Sequence, residues 1–305
     1  MRILSFEGKA MVFDMKKIRI GSRDSKLAII QSELVMSAIR KYDPDIELEL
    51  ITMKTTGDKI LDKTLDKIEG KGLFVKELDN ALYNNEVDIT VHSYKDMPLE
   101  ENPELPVVAL SKREDPRDAF ILPQNGENGE PIGSSSLRRQ LQLKELFPGC
   151  KTAPIRGNVQ TRLKKLDSGE FSAIVLAAAG IKRLGLESRI GRYFSVDEIL
   201  PAASQGIIAV QGRVGENFDF LKLFHSEESL CISLAERTFV REMNGGCSTP
   251  IAAYATIQGS EIILKGLYCN ETTGELRKEC VSGNRNNPVE LGYELVKKMK
   301  SSKSI

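Results

Sequence analysis

The sequence predicts two α/β lobes followed by a small α+β domain, and three observations support this. Short apolar segments alternate with helical segments up to about residue 93, in the β-α-β-α-β order of a mostly parallel sheet. A second run of the same kind begins after the polar, glycine-rich segment PQNGENGEP. From about Pro250 the pattern changes to antiparallel strands with Gly and Asn turns, closed by one helix.

The first lobe begins with KKIRIGS (16–22), whose alternation predicts a strand. The helical segment DSKLAIIQSELVMSAIRKY follows, with Asp24 or Ser25 as its N-cap. Apolar residues at helical spacing mark this helix: Leu27, Ile30, Leu34 and Ala38. IELELIT (46–52) and VDITVHS (87–93) predict two further strands, with the helix GLFVKELDNALYNNE between them.

The connection MKTTGDKILDKTLDKIEGKG (53–72) is polar, rich in lysine and bracketed by glycines. It is long for a connection inside a compact α/β lobe, and such segments are often lids or disordered loops. The residues alone leave a lid and a simple surface loop equally open.

The second lobe is predicted from the strand IGSSS, the helices LRRQLQLKELF and RGNVQTRLKKLDSG, and the buried strand FSAIVLAAAG. After LPAASQG, the segment IIAVQGR predicts another strand. The helix EESLCISLAERTFVREM leads into the last domain, where IAAYATIQGSEIILKGLYCNETTGELRKECVSG predicts antiparallel strands and PVELGYELVKKMK a covering helix.

Composition excludes several classes of function. The 305 residues carry 43 basic and 43 acidic side chains, so no net charge favours nucleic acid or a membrane surface. Aromatic residues are 6% of the chain and Trp is absent, which disfavours stacking on bases. No apolar run is long enough to span a bilayer, and the first residues lack the pattern of a signal peptide, so we expect a cytoplasmic protein. Residues 1–15 read as a short leader or as a start placed too early.

Motif chemistry narrows the choice further. The 5 cysteines are odd in number and form no CxxC pair, which argues against a disulfide framework or a structural zinc site. Only 2 histidines are present, so a histidine-rich metal site is excluded. The sequence contains no GxSxG, GxxxxGK[ST] or GxGxxG motif, so a hydrolase triad and the common nucleotide sites lack support.

Arginines recur where predicted strands end or helices begin: Arg23, Arg138, Arg139, Arg156, Arg162 and Arg183. These ends line the ligand crevice of open α/β sheets, and helix N-termini attract anions. Arginine adds a bidentate match to carboxylate or phosphate. Any one of them is more often a solvated surface residue. The recurrence of the set favours a polyanion site, but composition does not separate phosphate from carboxylate.

The segment VHSYKDMP (91–98) places Ser93, Lys95 and Asp96 where a buried strand ends. An Asp there stabilises a developing cation or moves a proton, and a neighbouring Lys binds an anion or keeps the Asp ionised. The alternative is a strand-end salt bridge, at even odds. His92, a lone histidine in a strand, is more simply structural.

The segment NGGCSTP (244–250) holds Cys247 just beyond a predicted helix C-terminus. The helix dipole there disfavours a thiolate, so a strongly activated nucleophile is not predicted, although Arg241 could compensate. A buried or incidental cysteine is the simpler interpretation. The two glycines favour a backbone that turns and exposes the side chain.

These motifs together resemble the hydroxymethylbilane synthase (porphobilinogen deaminase) family, from about Lys17 to the last helix. The resemblance rests on IRIGSRDSKLA, GKGLFVKELDNAL, DITVHSYKDMP, REDPRDAF, GSSSLRRQLQL, RGNVQTRLKKLDSGEFSAIVLAAAGIKRLGLESR, LPAASQG and NGGCSTPIAAYA. It implies a transferase that joins four molecules of porphobilinogen, losing ammonia at each step, and releases the linear tetrapyrrole hydroxymethylbilane with water. It also implies a covalent dipyrromethane cofactor attached by a thioether to Cys247.

The same resemblance implies the roles of individual residues. Asp96 matches the catalytic carboxylate, which hydrogen-bonds pyrrole N–H groups, stabilises the cationic azafulvene and assists proton transfers. Positions that bind the carboxylates of cofactor, substrate or chain match Arg23, Ser25, Lys95, Arg138, Arg139, Arg156, Arg162 and Arg183. Polar positions beside the cofactor match Ser93, Ser134 and Ser136. Lys71 to Phe74 match the edge of a mobile loop, at about 54–71, over the active site.

Departures from the family pattern are mild. Ser134 stands where Thr is common and keeps a hydroxyl, and residues 1–15 have no clear counterpart. The expected architecture is two lobes like those of periplasmic binding proteins plus a small C-terminal α+β domain. We expect domain 1 at 16–111 with 207–224, domain 2 at 116–202 and domain 3 at 228–305.

Three rival functions remain at this point. A non-catalytic two-lobe anion-binding protein would have no use for Cys247 or a third domain. A nucleic-acid module conflicts with the zero net charge. An inactive homologue conflicts with the presence of Asp96 and Cys247. We expect a monomer that acts on porphobilinogen, uses no metal, and binds neither nucleic acid nor membrane.

Overall fold

Three β-sheets organise the computed structural model, which describes residues 17–59, 75–100, 102–124, 130–245, 249–270 and 274–301. We call the first sheet with its helices the first lobe, the second sheet with its helices the second lobe, and the third sheet with the last two long helices the third domain. The predicted combination of two α/β lobes and one α+β domain is confirmed.

The first sheet has five strands, ordered β2-β1-β3-β10-β4. They are β1 (Lys17–Arg23), β2 (Glu47–Met53), β3 (Ile89–Ser93), β4 (Val107–Leu110) and β10 (Ile208–Gly212). β1 pairs in parallel with β2 and β3, whereas β10 is antiparallel to both β3 and β4. The chain therefore returns from the second lobe to insert a central strand, which no local pattern in the sequence predicts.

Two helices cover this sheet, and a short one precedes the undescribed residues 60–74. α1 (Lys26–Tyr42) lies on one face and α3 (Lys76–Tyr83) on the other, while α2 (Thr56–Lys59) follows β2. Of the two candidate N-caps for α1, Ser25 accepts a hydrogen bond from the Ala28 N–H at 3.3 Å.

The buried face of α1 differs from the four apolar positions that mark the helix in the sequence. Its buried residues are Ala28, Gln31, Ser32, Val35, Met36 and Ile39, whereas Leu34 is 45% exposed. The N-terminal part of this face packs toward β3, where the Gln31 amide hydrogen-bonds the Ser93 hydroxyl at 2.9 Å. Apolar spacing located the helix but missed a buried face that is partly polar.

The second sheet repeats this plan, with the order β7-β6-β8-β5-β9. Its strands are β5 (Asp118–Ile121), β6 (Ile132–Gly133), β7 (Thr152–Ala153), β8 (Ala173–Ala177) and β9 (Ile190–Tyr193). β6 is parallel to β7 and β8, and β5 is antiparallel to β8 and β9. One antiparallel strand, β10 or β5, thus lies inside each sheet among strands that are parallel to one another.

The helices of the second lobe are α4 (Leu137–Leu146), α5 (Val159–Asp167) and α6 (Ala178–Arg183). α4 begins directly after GSSS, and α5 begins after RGN, where the Asn158 side chain accepts a hydrogen bond from the Thr161 N–H at 2.9 Å. These two helix starts carry the predicted arginines to one edge of the second sheet.

The third domain consists of α7 (Glu227–Glu242), the antiparallel strands β11 (Ile251–Gln258), β12 (Glu261–Cys269) and β13 (Leu276–Asn284), and α8 (Pro288–Ser301). Gly266 lets the helices approach β12 closely, because a Cβ there would meet Leu295 at 2.7 Å and Phe239 at 2.9 Å. Within the described ranges, no helix is long and apolar enough to cross a membrane.

Candidate active site between the two lobes

A cleft of about 440 Å³ opens beside the carboxyl ends of β1 and β3. Its walls include Arg23, Ser25, Ser93 and Asp96, all predicted site residues, together with the buried amide of Gln31. Parallel strands deliver these residues to the same edge of the sheet, which is where open α/β folds bind ligands.

Asp96 closes the 3-10 turn Tyr94–Asp96 that directly follows β3. Tyr94 and Met97 on either side are buried, which fixes this turn against the interior and leaves Asp96 at the cleft. The neighbouring Lys95 is half-buried among charges, and desolvation lowers its pKa to about 8, with Asp96 opposing that change.

Arg162 shows that charges from both lobes meet at this place. Burial is the main cause that lowers the pKa of Arg162 to about 10; the like charges of Arg139, Arg156 and Arg23 act in the same direction, and Asp96 opposes them. Arg23 and Asp96 belong to the first lobe and the other three to the second. The structure therefore brings the predicted catalytic carboxylate and most of the predicted arginines into one cluster of charges, of which Arg23 and Asp96 line the cleft.

Asp118, at the start of β5, organises two of these arginines. Its carboxylate has no exposed surface and accepts hydrogen bonds from Arg138 Nη2 at 2.8 Å and Arg139 Nη2 at 2.7 Å. Burial by itself raises the pKa of Asp118, but the two guanidinium groups outweigh it and hold the pKa well below its usual range. Carbonyl oxygens of Leu200 and Val175 fix the other branch of each guanidinium.

Gln205 connects the two lobes inside the cleft. Its Oε1 accepts a hydrogen bond from Lys95 Nζ at 3.1 Å, and its Nε2 donates to Asp118 Oδ1 at 2.9 Å. The same Nε2 also donates to the carbonyl oxygen of Pro116 at 2.7 Å. The chain of contacts Lys95–Gln205–Asp118–arginine pair thus runs from the first lobe to the second.

Arg23 is held by a carboxylate from its own lobe. Asp58, in α2, accepts hydrogen bonds from Arg23 Nε and Nη2 with its two carboxylate oxygens. Asp58 also accepts a hydrogen bond from the Thr55 hydroxyl at 2.7 Å. Arg23 therefore has a fixed orientation at the edge of the cleft.

The predicted serines have different local roles. Ser25 caps α1 and Ser93 bonds Gln31, so both hydroxyls already have partners within the first lobe. Ser134 is buried and its hydroxyl accepts a hydrogen bond from the Ser136 N–H at 3.3 Å. Ser136 is the N-cap residue of α4 but makes no capping bond with its side chain.

Arg183 lies apart from the other arginines, whereas His92 lines the cleft next to Arg23. Arg183 donates to the carbonyl oxygen of Gly206 at 2.6 Å; burial lowers its pKa to about 10, and the charge acting on it is Glu114. His92 is buried, contacts the Thr90 hydroxyl at 2.9 Å, and burial lowers its pKa to about 3. The neutral, structural His92 expected from the sequence agrees with these contacts.

Several predicted features lie outside the described residues. They are Lys71, Phe74, Cys247, residues 1–15, and the part of the 54–71 loop that follows α2.

The sequence reasoning did not select Gln31, Asp58, Asp118 or Gln205. In the sequence, Asp118 is an acidic residue at the start of the apolar segment DAFI. Gln205 is a polar residue in LPAASQG, just before the apolar strand IIAVQGR. Both signals are weak without the contacts that the fold creates.

Comparison with known families covers most of the chain. Residues 18–218 match the family model described as porphobilinogen deaminase, dipyromethane cofactor binding domain. Residues 230–301 match the model described as porphobilinogen deaminase, C-terminal domain.

Curated relatives match at nearly full length. A porphobilinogen deaminase of Ruminiclostridium cellulolyticum is 89% identical over 293 residues, covering 95% of this chain and 100% of the relative. A porphobilinogen deaminase of Alkaliphilus oremlandii is 58% identical, covering 95% of this chain and 98% of the relative. Among solved structures, the methionine binding protein MetQ is similar with a TM-score of 0.44 and 13% identity, covering 77% of this chain and 98% of MetQ.

Proposed function

Because this chain belongs to the porphobilinogen deaminase family, whose members are hydroxymethylbilane synthases, we propose that the interlobe cleft is its active site, with Asp96 as the catalytic carboxylate. The observation that carries this assignment is the chain of hydrogen bonds from Lys95, beside Asp96 in the first lobe, through Gln205 to Asp118 and the Arg138–Arg139 pair of the second lobe.

The reaction joins four porphobilinogen molecules with loss of ammonia and ends in hydrolytic release of hydroxymethylbilane. Each pyrrole ring carries an acetate and a propionate arm, so every added ring brings two carboxylates. Within the described part of the cleft, cations outnumber the carboxylates Asp58, Asp96 and Asp118. This surplus of positive charge suits a growing polycarboxylate, and arginine binds carboxylates in a bidentate manner.

The residues present also fit a dipyrromethane cofactor. Arg139 Nε is buried and has no hydrogen-bond partner among the described residues, so it is a donor available to a ligand carboxylate. We assign the cofactor carboxylates to Arg139, Arg156 and Arg162, with Ser134 and Ser136 beside it and Arg138 supporting Arg139 through Asp118. When bound, the cofactor supplies the primer to which substrate units are joined.

The residues of the chain supply the remaining chemistry. Asp96 accepts hydrogen bonds from pyrrole N–H groups, stabilises the positive charge that develops as ammonia leaves, and assists proton transfer at its carboxylate oxygens. Lys95, protonated below a pKa of about 8, and Arg23 bind carboxylate arms on the first-lobe side. The two lobes thus hold a substrate between one catalytic carboxylate and two sets of cations.

Asp96→Asn tests the central role with little change in shape. We expect cofactor loading, measured by intact mass, to persist while kcat falls by about 10²-fold or more, because the amide cannot stabilise a developing cation. A turnover rate equal to that of the unmodified protein would remove Asp96 from the mechanism. Failure of the unmodified protein to load cofactor at Cys247 would favour an anion-binding protein instead.

Cofactor attachment at Cys247 is tested separately by mass spectrometry. The Cys247 peptide of the active protein should carry the mass of two porphobilinogens less two ammonias. Cys247→Ser should lack the thioether-linked adduct, with Cys280→Ser, a change at an exposed cysteine, as the matched control. An adduct retained in Cys247→Ser would place the attachment elsewhere.

The proposal includes a monomer that works in the cytoplasm. The completion of the described cleft by residues of one chain supports the monomer, since no second copy is needed to bring Asp96 and the arginines together. Light scattering on the purified protein measures this directly, and a stable dimer would contradict it.

A further inference from the structure

We propose that Gln205 is a positioning residue that ties the Lys95 ammonium group of the first lobe to the Asp118 carboxylate and its arginine pair in the second lobe. This inference rests on the proposed function and identifies what sets the relative orientation of the two groups of cations.

The geometry suits an amide. Gln205 is 1% exposed, accepts from Lys95 Nζ at 3.1 Å and donates to Asp118 Oδ1 at 2.9 Å. An amide presents an acceptor and a donor at once, so it satisfies an ammonium group on one side and a carboxylate on the other. A carboxylate would repel Asp118, and a hydrocarbon would leave both charged groups without this partner.

The backbone around Gln205 is held in place by contacts with the second lobe and the third domain. The Ser204 N–H donates to Glu236 Oε2 of the third domain at 2.6 Å, and Ser204 has a left-handed φ of 61°. Gly206 has a φ of 92°, and a Cβ there would meet the Glu114 carbonyl oxygen at 2.4 Å. Arg183 of the second lobe donates to the Gly206 carbonyl oxygen at 2.6 Å. The backbone position from which the Gln205 side chain extends is therefore fixed.

Lys95 provides the readout, because its charge depends on this environment. The charged groups that act on it are Asp96 on its own turn, Asp118 at the start of β5, and Arg138 and Arg139 on α4. Burial lowers the Lys95 pKa to about 8, so protonated Lys95 is lost as the pH rises through that value. The two carboxylates raise the Lys95 pKa and the two guanidinium groups lower it, so a change at residue 205 should shift this pKa.

Two substitutions at Gln205 are expected to move this titration in opposite directions. Gln205→Glu sets a carboxylate beside the Lys95 ammonium group and should move the alkaline limb of kcat/KM upward by about one pH unit. Gln205→Leu removes the acceptor without removing the burial and should move the limb downward. Both variants should raise KM for porphobilinogen by about tenfold, since Asp118 loses the donor that helps orient the arginine pair.

Gln211→Glu is the matched control. Gln211 is also buried, lies in β10, and donates its amide to the Leu105 carbonyl oxygen at 2.9 Å, a hydrogen bond that involves neither Lys95 nor Asp118. It introduces the same charge into a similarly buried position, so it reports general destabilisation. The alkaline limb of kcat/KM in Gln211→Glu should lie at the same pH as in the unmodified protein.

The experiment is performed on loaded protein whose cofactor content is verified by mass. Opposite shifts in the two Gln205 variants, with no shift in Gln211→Glu, support the inference. Equal profiles in all variants, or shifts in the same direction, overturn it. If a Gln205 variant fails to load cofactor, the pH dependence of Lys95 modification by an amine reagent, measured on its peptide, gives the Lys95 pKa without turnover and decides between the same outcomes.

Failure of the inference is distinct from failure of the proposed function. Turnover of porphobilinogen by the unmodified protein and its loss in Asp96→Asn test the function. The direction of the pH shifts tests Gln205 alone.

Discussion

The first and second lobes attach to the third domain in very different ways. The first lobe shares one continuous core with it, in which Tyr94, Met97 and Leu110 pack with residues of α7, β11, β12 and α8. The second lobe meets it through a small cluster built on Leu200, Ala252 and Leu267. Two exposed ion pairs, Lys265–Asp197 and Lys278–Glu145, complete that smaller contact.

The polar contacts of the two lobes with the third domain differ in the same way. At the first-lobe side, Arg237 lies over the Tyr94 ring at 4.3 Å and donates to the carbonyl oxygens of Tyr94 and Pro98. Glu236, which has no exposed surface, binds Arg113 Nη2 at 2.7 Å. Buried contacts of this kind are costly to break, whereas exposed ion pairs contribute little.

This difference in attachment separates the proposed active site into two parts that are held with different firmness. Asp96 lies two residues after Tyr94, in the same 3-10 turn, and belongs to the unit formed by the first lobe and the third domain. Arg139 and Arg162 belong to the lobe with the lighter attachment. The proposed catalytic carboxylate therefore has a rigid base, whereas Arg139 and Arg162, proposed to bind carboxylates, lie on the part that is freer to adjust.

The largest expected effect comes from shortening one leucine in each contact. Leu110→Ala removes a buried side chain from the large shared core and should lower the free energy of unfolding by about 4 kcal/mol. Leu200→Ala, the matched change in the small cluster, should cost about 2 kcal/mol, because its surroundings collapse more easily. Urea unfolding measures both, and equal losses would erase the distinction between the contacts.

The buried ion pair gives the next largest effect. Arg113→Met leaves the Glu236 carboxylate buried without its cation and should cost about 3 kcal/mol. Adding Glu236→Gln removes the stranded charge while keeping an acceptor for the Ser204 or Ala255 N–H groups. The double variant should therefore recover part of the loss. A double variant less stable than Arg113→Met would show that the charge is not the cause.

The sequence predicted much of this arrangement where the information is local. Asp96 at the end of a buried strand and Arg138 and Arg162 at helix starts lie where the pattern of strands and helices put them. Apolar periodicity and end signals depend on neighbouring residues, and so they locate elements well.

What it could not predict depends on distant contacts. The resemblance returned 207–224 to the first domain, but no local pattern placed β10 between β3 and β4. Asp118 and Gln205 meet only because that return segment passes through the cleft, 87 positions apart along the chain. The polar buried face of α1 follows from its contact with Ser93, which apolar spacing does not register.

Asp79 offers a pH-dependent test of the first-lobe contact. It lines a cavity there with Met97, Pro98 and Arg237, and burial raises its pKa to about 6 from an ordinary value of 3.8. A raised carboxyl pKa means that the folded state holds the proton more tightly, so stability falls as the pH rises from about 4 to about 6 and stays lower above that.

Asp79→Asn should remove that loss. Since the side chain is only partly buried, we expect a gain of about 1 kcal/mol in the free energy of unfolding at pH 8 and little change at pH 4. Asp219→Asn, at a surface turn of the same lobe, is the control for added amide groups. A gain of the same size at both pH values would assign the effect to something other than the Asp79 charge.

The smallest expected effect lies at the second-lobe contact. Lys278→Met breaks the 2.7 Å ion pair with Glu145, in which both side chains are nearly half exposed, and should cost less than about 1 kcal/mol. Lys265→Met, which breaks the pair with Asp197, should behave alike, and the two losses should add, since the pairs share no partner. High salt should reduce both because exposed charges are screened. A loss from Lys278→Met as large as that from Arg113→Met would mean that the second lobe is held as firmly as the first, and the arginines of the cleft would then share the rigid base of Asp96.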